Sequence, residues 1–377
     1  MKNIFPTYQQ FPMEIVSGHD CHLVDDGGHE YLDFTSGISV CTLGYNNKKI
    51  KEAVKKQLDL IWHTTNLYPS AIQDRVAKLL CPENMIAFFC NSGTEANESA
   101  LKLARKYTGK QKILAFKNGF HGRTFGSMSV TGNDHIREGF FPLLPETYLA
   151  DYGDFDVIDS IDNSFAAVIL EVIQGEGGIN VANREWLQNL TDTCKKNHVL
   201  LIIDEIQTGL GRTGTKFAFE QFNIFPDIIT CAKSLGNGLP IGAMLGHKSL
   251  AKAFGPGSHG TTFGGNKVSL AAAEQVLKQL TPELLMSIQT KGRRVFEYLD
   301  SEIATLENVS RVSGLGLMIG IQLNSSINVS DVIAQLQHKG LLTLSAEHNT
   351  LRLLPPLVMS DEELLNGLKL IRQVLAA

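Results

Sequence analysis

The chain has 377 residues, of which 43% are hydrophobic and 19% charged, as is typical of a globular protein with a sizeable core. Its net charge of −5 shows no basic excess and does not suggest nucleic-acid binding. No apolar run approaches the length of a membrane span, and the amino-terminal segment lacks the hydrophobic stretch of a signal peptide, so we expect a cytoplasmic protein. The six cysteines form no C-x-x-C pair, and we expect reduced, mostly buried thiols and no metal site.

The first two thirds of the chain have the pattern of an α/β protein. Residues 1–45 are mixed, whereas 48–61 and 70–80 show the apolar periodicity of amphipathic helices. From about residue 85, strand and helix patterns alternate, which favours a mostly parallel, doubly wound sheet. The predicted strands are 86–90, 112–116, 166–171, 199–204, 228–232 and 243–246, with helices such as 95–107 and 184–197 between them.

After about residue 268 the pattern changes to that of a smaller α+β domain. We predict helices at 268–280, 283–305 and 330–339, one strand at 314–323, short strands at 341–344 and 351–354, and a last helix from Asp361. The predicted organisation has three parts. Residues 1–45 join the small domain, 46–268 form the large ligand-binding domain, and 269–377 form the small domain.

Two polar residues follow neighbouring buried strand patterns. Asp204 ends one predicted strand and Lys233 follows the next. Because ligands bind beyond the carboxyl ends of strands in open α/β sheets, we expect both side chains in one crevice. A lysine there can form a Schiff base, and an aspartate can pair with the protonated ring nitrogen of pyridoxal phosphate. Taken singly, such a lysine is more often a solvated residue and such an aspartate a helix cap.

Several turns beside these strands carry residues suited to the same cofactor. Gly93 and Thr94 open a helix, where free N–H groups can bind a phosphate, although such a turn is often only a cap. Phe120 could stack on a pyridine ring or pack in the core. Arg123 could hold a carboxylate or form a surface salt bridge. We expect His121 to be a structural or ring-orienting residue rather than the general base.

Two further glycine-rich segments have a functional and a structural reading. The turn after the strand at 166–171 contains Glu176, which is either a functional carboxylate or an exposed capping residue. Residues 259–266 precede a helix and form either a second phosphate site or a capped loop.

Together these segments resemble the class III, fold-type I aminotransferases that use pyridoxal phosphate. The resemblance covers nearly the whole chain and is most specific over residues 201–242. It implies that Lys233 is the Schiff-base lysine, that Asp204 pairs with the pyridine nitrogen, and that Gln207 lies near the phenolic oxygen. It also implies that Phe120 stacks on the ring.

The same resemblance assigns the phosphate site and the assembly. Ser92, Gly93 and Thr94 bind the cofactor phosphate. Thr262 reaches the phosphate held by the other subunit, which implies a homodimer with active sites at its interface. One segment departs from the family, because residues 44–48 read Gly-Tyr-Asn-Asn-Lys where the family usually has Gly-His-x-His-Pro. We expect this change to affect folding or subunit contacts more than chemistry.

Within the class, the chain is most similar to the acetylornithine aminotransferases. Arg123 matches the arginine that holds the substrate α-carboxylate, and Arg352 matches a second arginine that meets 2-oxoglutarate or glutamate. Glu176 matches a glutamate that pairs with Arg352. Ile38 stands where ornithine δ-aminotransferases carry a tyrosine, and Trp62 lies in a segment resembling that of the acetylornithine enzymes.

This resemblance implies a ping-pong transamination in arginine biosynthesis. The distal amine of N2-acetyl-L-ornithine passes to 2-oxoglutarate, giving N-acetyl-L-glutamate 5-semialdehyde and L-glutamate. The alternatives are transamination of ornithine, succinylornithine or 4-aminobutyrate on the same scaffold. A catalytically inactive relative with a binding or regulatory role is a third reading, which Asp204, Lys233 and both arginines disfavour.

Overall fold

A computed structural model describes residues 3–377 of the chain. The strands are β1 (Ile15–His19), β2 (His22–Asp25), β3 (Glu30–Asp33), β4 (Met85–Cys90), β5 (Lys112–Phe116), β6 (Thr147–Ala150), β7 (Phe165–Leu170), β8 (Ile173–Gln174), β9 (Asn180–Val181), β10 (Leu200–Asp204), β11 (Ile228–Cys231), β12 (Gly242–His247), β13 (Val309–Leu315), β14 (Met318–Leu323), β15 (Leu341–Leu342), β16 (Leu344–Ala346) and β17 (Thr350–Leu353).

The helical segments surround these strands. They are α1 (Ser36–Ser39), α2 (Lys48–Leu60), α3 (Ala71–Leu80), α4 (Gly93–Thr108), α5 (Phe125–Ser129), α6 (Asp134–Arg137), α7 (Asp156–Asp159), α8 (Arg184–Lys196), α9 (Lys267–Gln279), α10 (Pro282–Tyr298), α11 (Val329–His338) and α12 (Asp361–Leu375). Three short 3-10 turns lie at Ala218–Phe222, Lys233–Leu235 and Lys248–Ala253, and a π turn at Leu299–Ile303 continues α10. Of these segments, α1 is a four-residue turn that contains left-handed residues.

The large sheet has seven strands in the order β4-β12-β11-β10-β7-β5-β6. β12 runs antiparallel to both of its neighbours, and the other pairs are parallel. The prediction of a mostly parallel α/β sheet is therefore confirmed. The parallel arrangement brings the carboxyl ends of β5, β7, β10 and β11 to one edge of the sheet, which is where a ligand site forms in such folds.

Both faces of this sheet are buried. Along β10, Leu201 and Ile203 belong to one hydrophobic cluster, whereas Leu200 and Ile202 belong to another. Since successive side chains of a strand point to opposite faces, each cluster covers one side of the sheet. Burial on both faces explains why these strands appear in the sequence as continuous apolar runs.

Two smaller sheets combine distant parts of the chain. In the first, the amino-terminal strands β1, β2 and β3 are joined by β15, which pairs parallel to β3. The second has the order β13-β14-β17-β16. Phe34 packs in the same hydrophobic cluster as residues of α10, α11 and α12, so the amino-terminal segment contributes to the carboxyl-terminal core. The boundaries at residues 45 and 268 stay a prediction.

Two of the predicted elements differ from the structure, and an edge strand of the large sheet was missed. The single strand predicted at 314–323 is wrong, because β13 and β14 form a hairpin there. Gly316 at its turn has φ 61°, and a Cβ atom would lie 2.7 Å from the backbone of Thr213. The edge strand β6 was not predicted at all. The helix predicted over 283–305 changes to a π turn at Leu299. Between residues 3 and 377, no helix is both long and apolar enough to span a membrane.

Candidate active site

A cavity of about 400 Å³ lies beyond the carboxyl ends of β7, β10 and β11. Glu171, Asp204 and Lys233 follow or end these three strands, and all three line the cavity. The structure thus brings Asp204 and Lys233 into one crevice. The other predicted site residues that line it are Ser92, Gly93, Thr94, Phe120, Arg123 and Gln207.

Lys233 lies immediately after β11 in a strained conformation. Its φ is 43°, a left-handed value that non-glycine residues adopt rarely and mostly where the surrounding structure requires it. Burial lowers the pKa of its amine, an effect that the charge of Arg352 strengthens and that of Glu176 opposes. A lowered pKa increases the fraction of neutral amine, which is the nucleophilic form.

Asp204 is held by three hydrogen bonds at the bottom of the cavity. Its Oδ2 accepts from Asn97 Nδ2 and lies 2.8 Å from His121 Nδ1, and its Oδ1 accepts from the Ile206 N–H. Thr230 Oγ1 in turn donates to Asn97 Oδ1, which fixes the orientation of the amide. These donors hold the carboxylate in one position, as a fixed partner for a protonated ring nitrogen requires.

His121 is almost completely buried, and both Asp204 and Glu171 change the pKa of its imidazole. Burial alone would lower its pKa, but the hydrogen bond and charge of Asp204, with the charge of Glu171, raise the pKa above the ordinary value. Glu171 accepts from the backbone N–H groups of Phe120 and Gly175. Burial raises the pKa of Glu171 to about 7. His121 therefore orients Asp204, and Glu171 fixes the backbone that carries Phe120.

The start of α4 forms a cradle suited to a phosphate. Ser92 caps the helix by accepting from the Glu95 N–H, which leaves the N–H groups of Gly93 and Thr94 without partners among the described residues. A Cβ atom at residue 93 would lie 2.7 Å from Ile206 Cδ1. Glycine therefore permits the close approach of Ile206 to the start of the helix, and the free N–H groups and the helix dipole favour negative charge there.

Arg352 and Glu176 form an ion pair that the sequence resemblance implied. Arg352 Nη1 lies 2.5 Å from Glu176 Oε1 and also donates to Gln207 Oε1 at 3.3 Å. Arg352 is 3% exposed, and its Nε has no partner among the described residues. Burial raises the pKa of Glu176, but the charges of Arg352 and Lys233 and the hydrogen bonds from Arg352 and Gln207 together lower the pKa below its ordinary value, so the carboxylate stays ionised.

A second, outer cavity of about 790 Å³ adjoins this ion pair. Ile38, Arg123, Glu176 and Lys233 all line it, so it connects the predicted substrate residues with the predicted Schiff-base lysine. The guanidinium of Arg123 is exposed, stacks 5.9 Å from the centre of the Phe120 ring, and has no hydrogen bond within residues 3–377. Such a cation is available to an incoming carboxylate.

Among the predicted site residues, Arg352 lines neither cavity and contacts the site through Glu176 and Gln207. Thr262 also lies outside both cavities. It is exposed in a tight segment whose backbone carbonyls at Thr261 and Gly264 accept from Asn66. The structure therefore does not bring Thr262 to the phosphate cradle of its own chain.

Four residues of this site were not predicted from the sequence. Asn97, Glu171, Ile206 and Thr230 were assigned no role, although Glu171 and Ile206 line the cavity, Asn97 donates to Asp204, and Thr230 donates to Asn97. Glu171 had a signal, since it ends a buried strand as Asp204 does. Asn97 and Thr230 had none, because only the packing of α4 on β11 brings them together.

The segment that departs from the family has structural contacts. Tyr45 Oη donates to Asp33 at 2.6 Å, and Asn47 caps α2 by accepting from the Ile50 N–H. Asn46 has φ 57°, a conformation that asparagine tolerates better than most residues. None of these residues lines either cavity.

The site fits pyridoxal phosphate, and the comparisons agree. A lysine amine, a fixed carboxylate, an aromatic ring and a helix-start anion cradle converge in one cavity. The chain matches the family Aminotransferase class-III over residues 4–375. It belongs to this family and is an aminotransferase that depends on pyridoxal phosphate.

Relatives that match the chain over nearly its whole length include two acetylornithine aminotransferases. It is 54% identical to the acetylornithine aminotransferase of Lactiplantibacillus plantarum over 376 residues, which is 100% of this chain and 97% of the relative. The acetylornithine aminotransferase of Bacillus subtilis is 45% identical to the chain, and the match covers 100% of this chain and 98% of the relative. The solved ornithine aminotransferase of Toxoplasma gondii has a TM-score of 0.95 at 30% identity, covering 99% and 92% of the two chains.

Proposed function

We propose that the enzyme transfers the distal amino group of N2-acetyl-L-ornithine to 2-oxoglutarate. The products are N-acetyl-L-glutamate 5-semialdehyde and L-glutamate, and the pathway is arginine biosynthesis. The supporting observation is the pair of arginines, of which Arg123 is free and Arg352 is neutralised by Glu176. Relatives that carry this activity in their names are 45–54% identical to the chain, whereas the ornithine aminotransferase of Toxoplasma gondii is 30% identical.

The protein residues bind the cofactor and control one proton. Pyridoxal phosphate, when bound, supplies an electron sink for the carbanion of either substrate. The Lys233 amine would hold the cofactor aldehyde, and the free amine would move the proton from the substrate carbon. Asp204, oriented by Asn97 and His121, keeps the ring nitrogen protonated. Gly93 and Thr94 bind the phosphate, and Phe120 stacks on the ring.

The Arg352–Glu176 pair lets one site accept two unlike substrates in turn. Acetylornithine has one carboxylate, which binds Arg123, and Glu176 neutralises Arg352 meanwhile. A buried guanidinium without a partner would be strongly destabilising in that half-reaction. 2-Oxoglutarate has two carboxylates, and the second displaces Glu176 from Arg352. Gln207 contacts both members of the pair at 3.3 Å and can follow this exchange while lying near the phenolic oxygen.

Ornithine, succinylornithine and 4-aminobutyrate are the competing amine donors. Ile38 offers no polar group to the α-ammonium of free ornithine, and it suits the neutral amide of acetylornithine. A panel of these four amines with 2-oxoglutarate tests the assignment. We expect the highest kcat/KM with acetylornithine, and a higher value with any of the other three would reject it.

We also propose a homodimer that acts in the cytoplasm. Trp62, Leu67 and Phe263 are 65%, 88% and 60% exposed, and hydrogen bonds from Asn66 and Asn266 join the two segments that carry them. Exposed apolar side chains grouped in this way mark an interaction surface. Thr262 then reaches the cofactor phosphate of the partner. The six free cysteines suit a reducing compartment.

A further inference from the structure

The four residues of α1 form a left-handed turn beside the outer cavity. Their φ values are 48° at Ser36, 61° at Gly37, 65° at Ile38 and 62° at Ser39. Only glycine adopts this region freely, and a branched side chain such as that of Ile38 is crowded against the following carbonyl. Ser36 and Ser39 are buried, whereas Ile38 is 41% exposed and lines the cavity. Such a turn persists only where its surroundings hold it.

Arg212 holds the end of this turn. It is fully buried, and its Nε donates to Ser39 Oγ at 3.0 Å. Its Nη1 donates to the backbone carbonyls of Leu317 at 2.9 Å and Pro355 at 2.6 Å. All three acceptors are neutral oxygens, and Nη2 has no partner within the described residues. Burying a guanidinium with only neutral acceptors is costly, because no paired carboxylate offsets the loss of hydration. The bonds that it makes must therefore serve a role that compensates for this cost.

The start of the turn is held separately. Asp33 Oδ1 accepts from the Thr35 N–H at 2.7 Å, and Ser36 Oγ donates to the Leu354 carbonyl at 2.6 Å. Ser39 Oγ also lies 3.4 Å from the Gln207 carbonyl, which connects the turn to the floor of the cofactor site. Because contacts hold both ends of the turn, the backbone of the turn fixes the position of Ile38. Packing of its own exposed side chain does not.

We propose that Arg212 is a positioning residue that, through Ser39, holds the left-handed turn and so places Ile38 against the acetamide-bearing end of the amine donor. The proposal rests on the proposed function. Ile38 and Arg123 line the same outer cavity, so Ile38 meets the end of the donor whose carboxylate Arg123 binds. 2-Oxoglutarate carries no acetamide. The turn therefore selects among amine donors and leaves the acceptor half-reaction alone.

The test compares Arg212→Lys, Ser39→Ala and Ser39→Gly in the cofactor-loaded enzyme. Lysine keeps the charge but cannot donate to Ser39, Leu317 and Pro355 together. Ser39→Ala removes the acceptor of the Nε bond together with the longer contact to the Gln207 carbonyl, and glycine at 39 removes the same hydroxyl but adopts positive φ without crowding. Ser129→Ala is the matched control, because Ser129 is also buried and makes two hydrogen bonds, but lines neither cavity.

We expect Arg212→Lys and Ser39→Ala to raise KM for acetylornithine about tenfold relative to ornithine, the size of one lost hydrogen bond. KM for 2-oxoglutarate and the cofactor absorbance should stay within about twofold. Ser39→Gly should recover part of the loss, and Ser129→Ala should leave the ratio of the two donors unchanged.

Two outcomes would overturn the proposal. One is a donor ratio unchanged in both Arg212→Lys and Ser39→Ala while their melting temperatures fall, which is a structural role only. The other is an equal loss for 2-oxoglutarate. If the unaltered enzyme prefers another amine, the proposed substrate fails, but the ratio of that amine to ornithine or acetylornithine still tests the turn.

Discussion

Arg352 Nη1 and Glu176 Oε1 are 2.5 Å apart, and both groups act on the charge state of the Lys233 amine. The ion pair therefore influences the pKa of the Lys233 amine, and in the proposed function Arg352 is the group that the second carboxylate of 2-oxoglutarate binds. We therefore expect Arg352 and Arg123 to bind different carboxylates, and single substitutions can distinguish their roles.

Arg352→Ala should slow the 2-oxoglutarate half-reaction about ten- to a hundredfold or more, because it removes a charge-assisted contact. The acetylornithine half-reaction should change little. Glu176→Gln should have the opposite signature, with tighter 2-oxoglutarate binding and a slower donor half-reaction, since Arg352 is then buried without a counter-charge. Stopped-flow measurement of each half-reaction checks both. Equal slowing of the two halves by Arg352→Ala would mean that Arg352 is structural.

Asp204→Asn should slow proton abstraction about a hundredfold or more while the protein stays folded. The amide nearly keeps the shape of the carboxylate but lacks the charge that holds a proton on the ring nitrogen. Single-turnover kinetics with acetylornithine and the cofactor absorbance report the effect. His121→Asn should give a smaller loss, because His121 only orients Asp204. Near-normal turnover of Asp204→Asn would show that another group tunes the ring.

Lys233 should be the site of covalent attachment. Reduction with borohydride followed by mass spectrometry should place the pyridoxyl group on Lys233, and Lys233→Ala should lose transamination by at least about a hundredfold. Lys216 is a suitable comparison, because burial also lowers the pKa of its amine but it lines neither cavity. Lys216→Ala should keep the adduct on Lys233, and an adduct at any other lysine would contradict the assignment.

Glu205 should make the enzyme less stable at high pH. Burial raises the pKa of its carboxyl from 4.5 to about 7. Between these pH values the Glu205 carboxyl is ionised in the unfolded chain and protonated in the folded protein. Its contribution to the free energy of unfolding is therefore complete below pH 4.5 and is lost as the pH rises through about 7. Glu205→Gln should reduce the difference in unfolding free energy between pH 5 and pH 8 by about 1–3 kcal/mol. Melting curves at both values measure it, and an unchanged pH dependence would reject the assignment.

Much of this site could be predicted from the sequence, because residues at the carboxyl ends of parallel strands lie where such a sheet binds ligands. Asp204 and Lys233 end or follow apolar runs of β-branched residues, and parallel strands bring such ends together. The direction of β12 had no such signal, because a buried apolar run is the same in either direction. The contact of Arg352 was implied by family resemblance and not by spacing. It depends on the pairing of Arg352 with Gly320, and a shift by one residue would turn the side chain away.

The left-handed turn at Ser36–Ser39 had no signal in the sequence. Only Gly37 favours positive φ, and Ile38 and the serines disfavour it. The conformation is imposed by residues far along the chain, of which Arg212 and Leu354 contact the turn directly. Local propensity cannot predict a turn that tertiary contacts hold against that propensity.

Thr262 gives a test of the assembly, because the structure places it outside the cavities of its own chain. Thr262→Ala should weaken cofactor binding, and Thr262→Ser, which keeps the hydroxyl, should not. Mixing Thr262→Ala with Lys233→Ala subunits gives hybrid dimers in which one site carries both lesions and the other neither. Half of the dimers are hybrids with one of two sites intact, so at limiting cofactor the mixture should recover about a quarter of the normal activity. If Thr262 serves its own chain instead, every site in a hybrid keeps one lesion. The mixture then stays no more active than the average of the two parents, and the cross-subunit role is refuted.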